Sequence, residues 1–391
     1  MKFVKANFEI LPIPDPYDKM AVYQHLERVG RVCYKSEDKI TDDSCLKFLT
    51  NIRNRKHWAM LEHYIFVISV SEEMYNDFLE NYEVVDDEDP DIGSKLRFVR
   101  TSINDRYYDT SNKFLISGSA TAFNYLWACK FFSTVDETDT VNMIGSFLHQ
   151  RYPEIIMVPE HAKEYADTPI EDRVGKIHLL SRKEIEALPV GSRLIHDFAS
   201  VKSITDRGVT HEDVRHRPAS WAQESTRYCN YGKLGCTFII PCWFTDEESN
   251  ILINMTDNEF YRHVNTLSQP DRMSLAAWRW AADMMYLGSE YEKFVKPLED
   301  KSESSAEGIE IFGDDGYGWT PQQARSILPN SVKTEIIMTA PLDEWVHYFN
   351  MRVPTSAHPQ MRELAVPMLS EFAERDPSVF LEQKKRLIEE A

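Results

Sequence analysis

Cysteines and long apolar runs are scarce in this chain, and basic residues are outnumbered. The six cysteines (Cys33, Cys45, Cys129, Cys229, Cys236 and Cys242) are scattered over 391 residues and form no CxxC pair. That excludes a dense disulfide framework, and the spacing of Cys229, Cys236 and Cys242 fits no usual zinc pattern. The reading is of reduced thiols in a cytoplasmic protein, with no metal site. No run of about 18 apolar residues occurs, so a spanning helix is not expected. The opening MKFVKANFEILPIPDPYDKM has no long apolar stretch of the kind an export signal needs. Lys+Arg is 44 against 63 for Asp+Glu, a formal charge of −19. A surface of that sign repels polyphosphate, so neither nucleic acid nor membrane is expected as a partner, although a local arginine cluster can still hold a small anion. What is present, 42% hydrophobic and 27% charged residues, is the mix of a folded globular protein. No internal repeat recurs at a fixed period.

Along the chain, apolar spacing predicts helices over Ala21 to Tyr34 and Asp43 to Arg55. Tyr64 to Val70 is aromatic and β-branched and reads as a buried strand. Acidic Glu83 to Asp91 reads as a solvated loop, residues 114 to 135 as a packed helix around Leu126 and Trp127, and residues 150 to 190 as a surface elaboration. Leu194 to Thr205 is a second strand candidate. It leads to a helix start near Thr210, which has capping-box spacing to Asp213. Arg272 to Gly288 predicts a helix ending at the glycine, and Glu299 to Gly318 a mobile acidic loop. Thr320 to Ile327, Leu342 to Met351 and Pro359 to Glu374 complete the helices.

The densest chemical signal is Arg215-His216-Arg217-Pro218-Ala219-Ser220-Trp221-Ala222-Gln223-Glu224-Ser225-Thr226-Arg227-Tyr228. Three arginines, a histidine and two serines crowd together in an acidic chain, which points to an anionic partner. Guanidinium forks suit phosphate, and serine hydroxyls add to them. The plainer alternative is a salt-bridged basic turn.

RHR, a serine three residues later, and then Ser-x-Arg-Tyr resemble the signature of flavin-dependent thymidylate synthases, the ThyX family. Gln223 to Tyr231, QESTRYCNY, resembles its longer bacterial and phage branch. His57-Trp-Ala-Met-Leu-Glu62-His63 is similar to the family's H-x-S/T-x-x-E-H segment. Ala324-Arg325-Ser-Ile-Leu-Pro329, Asn350-Met-Arg352 and Ala357-His-Pro-Gln-Met-Arg362 resemble its carboxyl-terminal blocks. Arg31-Val-Cys-Tyr34 resembles a further one.

The resemblance implies an α+β fold with a long mixed or antiparallel sheet flanked by helices. Residues 1 to 391 would form a single domain with an elaboration at about 72 to 195. It implies reductive methylation of dUMP to dTMP with methylenetetrahydrofolate and NADPH as co-substrates and FAD as cofactor. It also implies a homotetramer with shared active sites, in which Arg352 and the RHR block of one site come from different chains. Arg352 matches the arginine over the uracil, where a cation favours an anionic ring and an electron-rich C5. Arg215, Gln223, Ser225, Arg227, Arg325 and Glu212 match positions around dUMP. His57, Arg215, His216, Arg217, Gln223 and His347 match positions around FAD. Glu62 and His63 either join the site or cap a strand end.

Departures from the family fall on the flavin side. Pro341 and Asp343 stand where relatives have an Asn-x-Arg stretch, and Asp343 would repel a pyrophosphate. Ala59 replaces a hydroxyl residue, and Ser117 to Phe123 lacks the branch's usual asparagine and arginine. Two alternatives therefore stay open: a related pyrimidine nucleotide hydroxymethylase, and a catalytically silent nucleotide-binding subunit.

Overall fold

The computed structural model describes residues 2–88, 99–101, 113–128, 139–164, 166, 177–297 and 316–390. Ten strands run in chain order: β1 (Lys2–Val4), β2 (Asn7–Leu11), β3 (Ile65–Val70), β4 (Arg100–Thr101), β5 (Phe114–Ser119), β6 (Ile177–Leu179), β7 (Phe198–Asp206), β8 (Ser220–Gln223), β9 (Thr237–Ile239) and β10 (Lys333–Pro341). The class is the expected α+β. The antiparallel pairing is distributed over two four-stranded sheets, ordered β2-β7-β10-β8 and β4-β5-β3-β6, beside a parallel β1–β9 pair. β7 and β10 are paired from Lys333↔Asp206 to Pro341↔Phe198. Pro341 falls on the last residue of its strand, where a missing N–H costs least. In β3, five of the six residues Ile65 to Val70 are buried, because strands and helices cover both faces.

Among the described residues, three large apolar cores and a small cluster of Val67, Leu115, Leu180, Ile185 and Leu188 hold these layers. The largest joins the Lys19–Tyr34 and Ser44–Asn54 helices to the second sheet and the Ala120–Ala128 and Thr140–Arg151 helices, and takes in Phe198, Ala222 and Ile337 from the first sheet. Another packs the Leu342–Arg352 and Pro359–Arg375 helices on β2, β7 and β10 through Trp345, Phe349 and Phe372. The last gathers Phe3, Phe238, Trp278 and Tyr291.

Several local expectations are corrected. The helix expected near Thr210 begins at Arg207, because Asp206 accepts the Val209 N–H at 2.8 Å; the Thr210 hydroxyl turns back to the Arg207 carbonyl instead. The helix expected to stop at Gly288 spans Leu275–Val295, since Tyr291 still packs in the core beyond the glycine. One interior glycine costs only about 1 kcal/mol. Glu83 to Glu88 is helical, as part of Glu72–Glu88, because glutamate is a good helix former and no breaker precedes Pro90. Asp89 to Asp91 lies outside the described residues, and so do residues 299 to 315 of the expected acidic loop. The helix expected over 114 to 135 is a strand, Phe114–Ser119, followed by the Ala120–Ala128 helix. The described residues between 150 and 190 are no surface elaboration: Tyr152, Ile155 and Ile156 are buried in the largest core, and β6 edges the second sheet, while residues 165 and 167 to 176 lie outside the described residues. Their apolar residues follow neither helical nor strand spacing, which hid them.

Candidate active site

A cavity of about 540 Å³ opens between the first helix and the strand-end segments, and His57, Gln223 and Ser225 meet on its wall. Helix Lys19–Tyr34 ends in a left-handed Lys35 (φ 49°), whose N–H reaches the carbonyls of Arg31 and Val32 and turns the chain sharply after Tyr34. The Ser225 N–H then donates to the Cys33 carbonyl at 3.1 Å, which fixes the serine beside that helix end. Tyr34 Oη and His57 Nδ1 share a hydrogen bond at 2.6 Å, and Tyr228 tilts against Tyr34 at 5.6 Å between ring centroids. Gln223 Nε2 donates to Thr210 Oγ1 at 2.8 Å, tying this wall to the Arg207–Asp213 helix.

Behind the wall lies a charged knot. Glu224 accepts from Lys333 at 2.9 Å and from the Tyr231 hydroxyl at 2.9 Å. Glu335 is gripped by Lys202, Lys333 and Lys35. Burial alone would raise the Glu335 pKa, but the three ammonium groups overrule it and hold the carboxyl at about 2.

Glu212, His216 and Arg352 form a second group. Arg352 ends the Leu342–Arg352 helix. Its Nη1 meets Glu212 Oε2 at 2.8 Å, Nη2 donates to the Glu212 carbonyl at 2.9 Å, and Nε donates to His216 Nε2 at 2.9 Å. All these contacts lie within one chain. Arg352 and the RHR block of one chain thus meet directly through His216. Burial, then Arg352 and His347, lower the His216 pKa to about 4, so its ring is neutral near pH 7. Its proton must sit on Nδ1, because Nε2 accepts from Arg352. His347 lies edge-on to His216 at 5.7 Å.

The remaining guanidinium groups face outward. Arg227 donates to Gln322 at 3.3 Å, and Gln322 belongs to the short Pro321–Ala324 helix immediately before Arg325. Arg215, Arg217 and Arg325 are exposed, and their side chains form no ion pair or hydrogen bond with any described residue. On a chain of charge −19, such unpaired cations favour an anionic ligand over a salt-bridged turn. Glu62 lines the cavity and accepts from Ser220 at 3.2 Å, whereas His63 is a core residue. The His63 ring bonds Thr339 at 2.7 Å, and burial and His25 lower its pKa to about 3.

The expectation for Asp343 is also corrected. It is buried and paired with Arg100 of β4 at 2.5 Å, while Arg100 also reaches Glu344 at 3.4 Å. Its charge is neutralised from within the chain. Sequence reasoning missed Thr121 and Tyr125, which line the cavity from the 72 to 195 elaboration. No motif marked them. It also missed the Asp213–Tyr348 pair, in which the Tyr348 hydroxyl donates to Asp213 Oδ1 at 3.2 Å.

Burial raises the Asp213 pKa to about 7. An unfolded aspartate ionises near its ordinary value, so between the two values the folded protein holds one more proton. The stability this provides is complete below the ordinary range and is lost as pH rises through about 7. Relative to Asp213→Asn, the wild-type urea midpoint is expected to fall between about pH 5 and about pH 8, because the lowered pKa values of His63 and His216 act the opposite way in both proteins and cancel in the comparison. Parallel curves for the two proteins would refute this.

Residues 189–378 match the family model of the thymidylate synthase complementing protein. That match takes in just under half of the chain. The matched part contains the whole Arg352 group along with Gln223, Ser225, Arg227 and Arg325, while His57 and Glu62 lie outside it. Among relatives, the flavin-dependent thymidylate synthase of Pyrococcus furiosus is 32% identical over 173 residues, which is 44% of this chain and 52% of that protein. The Corynebacterium diphtheriae enzyme of the same name is 28% identical over 174 residues, 44% and 56% of the two chains. That of Mycobacterium tuberculosis is 28% identical over 198 residues, 49% and 65%. The chain thus spans about half to two thirds of the length of the curated relatives it matches. Thymidylate synthase X from Helicobacter pylori, crystallised with FAD and dUMP, gives a TM-score of 0.31 at 14% identity, over 48% of this chain and 73% of that one.

Proposed function

We propose that this protein is a flavin-dependent thymidylate synthase. It converts dUMP to dTMP by reductive methylation, with methylenetetrahydrofolate as one-carbon donor, FAD as cofactor and NADPH as reductant. The observation that carries the reading is convergence: residues far apart in sequence, chosen for that chemistry, gather as His57, Gln223 and Ser225 on one cavity and as Arg352, Glu212 and His216 in one bonded cluster.

In this reading Arg352 stands beside the uracil and stabilises negative charge on the ring. Ser225, Arg227 and Arg325 hold the phosphate, and Gln223 contacts ring or ribose. Glu212 and neutral His216 anchor Arg352, which leaves its planar fork pre-oriented. Bound FAD supplies the hydride. The residues fit that group: Tyr34, His57 and Tyr228 offer aromatic faces to a planar ring system, and Arg215 and Arg217 are unpaired cations suited to a pyrophosphate. His347 lies on the same side, next to His216. The proposal includes residues 72 to 195 as part of one catalytic unit, supported by their shared core and by Thr121 and Tyr125 at the cavity. A homotetramer with shared sites and a cytoplasmic location complete it. Among the described residues, no helix is long and apolar enough to cross a membrane.

The test is product identification. Purified protein with dUMP, methylenetetrahydrofolate, FAD and NADPH is expected to yield dTMP by mass spectrometry. A hydroxymethylated nucleotide, or dUMP that binds and stays unchanged, would refute the synthase reading in favour of the hydroxymethylase or the silent subunit.

A further inference from the structure

Asp213 has no place in the chemistry just described. It ends the Arg207–Asp213 helix, is 3% exposed, and makes no ion pair with any described residue. Its hydrogen bond comes from a neutral donor, the Tyr348 hydroxyl. A helix C-terminus is itself electronegative, so burial and peptide dipoles both oppose a charge there. The groups acting on the carboxyl are Tyr348 and Arg352 from the Leu342–Arg352 helix, and Glu212 and Asp206 from its own segment. Arg352 favours ionisation and the two acids oppose it. Tyr348 extends the contact, with its ring 5.0 Å from that of His216, whose Nε2 accepts from Arg352 at 2.9 Å. His347 is the other titratable group beside His216.

We propose that Asp213 is a proton-controlled positioning residue for Arg352. Protonated, it leaves the guanidinium charge to be shared between Glu212 and a bound anion; ionised, it draws a further part of that charge to itself and pulls on the Tyr348 hydroxyl. The proton released on ionisation passes to solvent, and no covalent bond changes. Anion binding at Arg352 therefore weakens as pH rises through neutrality. The inference rests on the reading that Arg352 faces the nucleotide.

The experiment is titration calorimetry of dUMP with wild type and Asp213→Asn, from about pH 5.5 to about pH 8.5. The phosphate of dUMP titrates in the same range, but equally for both proteins, so the ratio of their affinities isolates Asp213. That ratio is expected near one at the acid end, with wild type about tenfold weaker at the alkaline end. A ratio constant across the range overturns the proposal. Asp213→Leu serves as the second variant if the asparagine protein does not fold. If no protein binds dUMP, the nucleotide reading has failed, and the 15Nε resonance of Arg352 in the free protein decides this inference. A step near neutrality that the variants lack supports it, and the absence of a step in wild type overturns it.

Discussion

Arg352→Lys is expected to lower kcat by about 10²- to 10³-fold, the loss typical when one preorganised donor is removed from a developing charge. The dissociation constant for dUMP should change far less. Lysine keeps the positive charge but is a single point donor. It cannot meet the Glu212 carboxylate, the Glu212 carbonyl and His216 Nε2 together, as the guanidinium does. Steady-state kinetics with calorimetric dUMP binding separates the two effects. Unchanged turnover would remove Arg352 from the chemistry, and loss of binding in proportion to turnover would make it an ordinary substrate anchor.

The second large effect concerns stability. Arg100→Met is expected to destabilise the fold by about 3–5 kcal/mol, because it strands the Asp343 carboxylate away from water. The side chains of Arg100, Asp343 and Glu344 are only 12%, 2% and 8% exposed. Urea unfolding would show this as a lower midpoint at unchanged slope. The triple change Arg100→Met, Asp343→Asn, Glu344→Gln should recover most of the loss, since it removes the charges together. A single-variant loss under about 1 kcal/mol would mean that water reaches the pair and screens it.

The candidate site was read partly from residue types, as in the arginine-rich block, and largely through the family resemblance, because the motifs that carry it are local. The RHR block, QESTRY and His57 are short stretches whose members stay near each other after folding. Arg352 was found through the family resemblance, not through its own surroundings. The role of Asp343 was misread for a physical reason: its partner Arg100 is 243 residues away, and nothing in either segment announces the other. Asp213 went unnoticed as a site residue because its burial depends on Tyr348, 135 residues further on. Helix ends were read to within a few residues where a cap was present, as at Asp18 and Ser274. They were misplaced where two caps competed, as Asp206 and Thr210 did. The split into two sheets was invisible, because strand patterns specify which face is buried and not which neighbour completes the ladder.

The cavity wall has a chronology. Tyr34, His57, Glu62, Thr121 and Tyr125 are all translated before residue 126, and the largest core is built mostly from residues 11 to 179. Gln223 and Ser225 follow about a hundred residues later. Chains grow at about 5–20 residues per second, so the aromatic half of the cleft exists for several seconds before the groups that would bind a nucleotide reach it. A nascent chain halted after residue 200 would therefore present an open aromatic surface to the cell. A chain released whole has that surface walled by its own later residues.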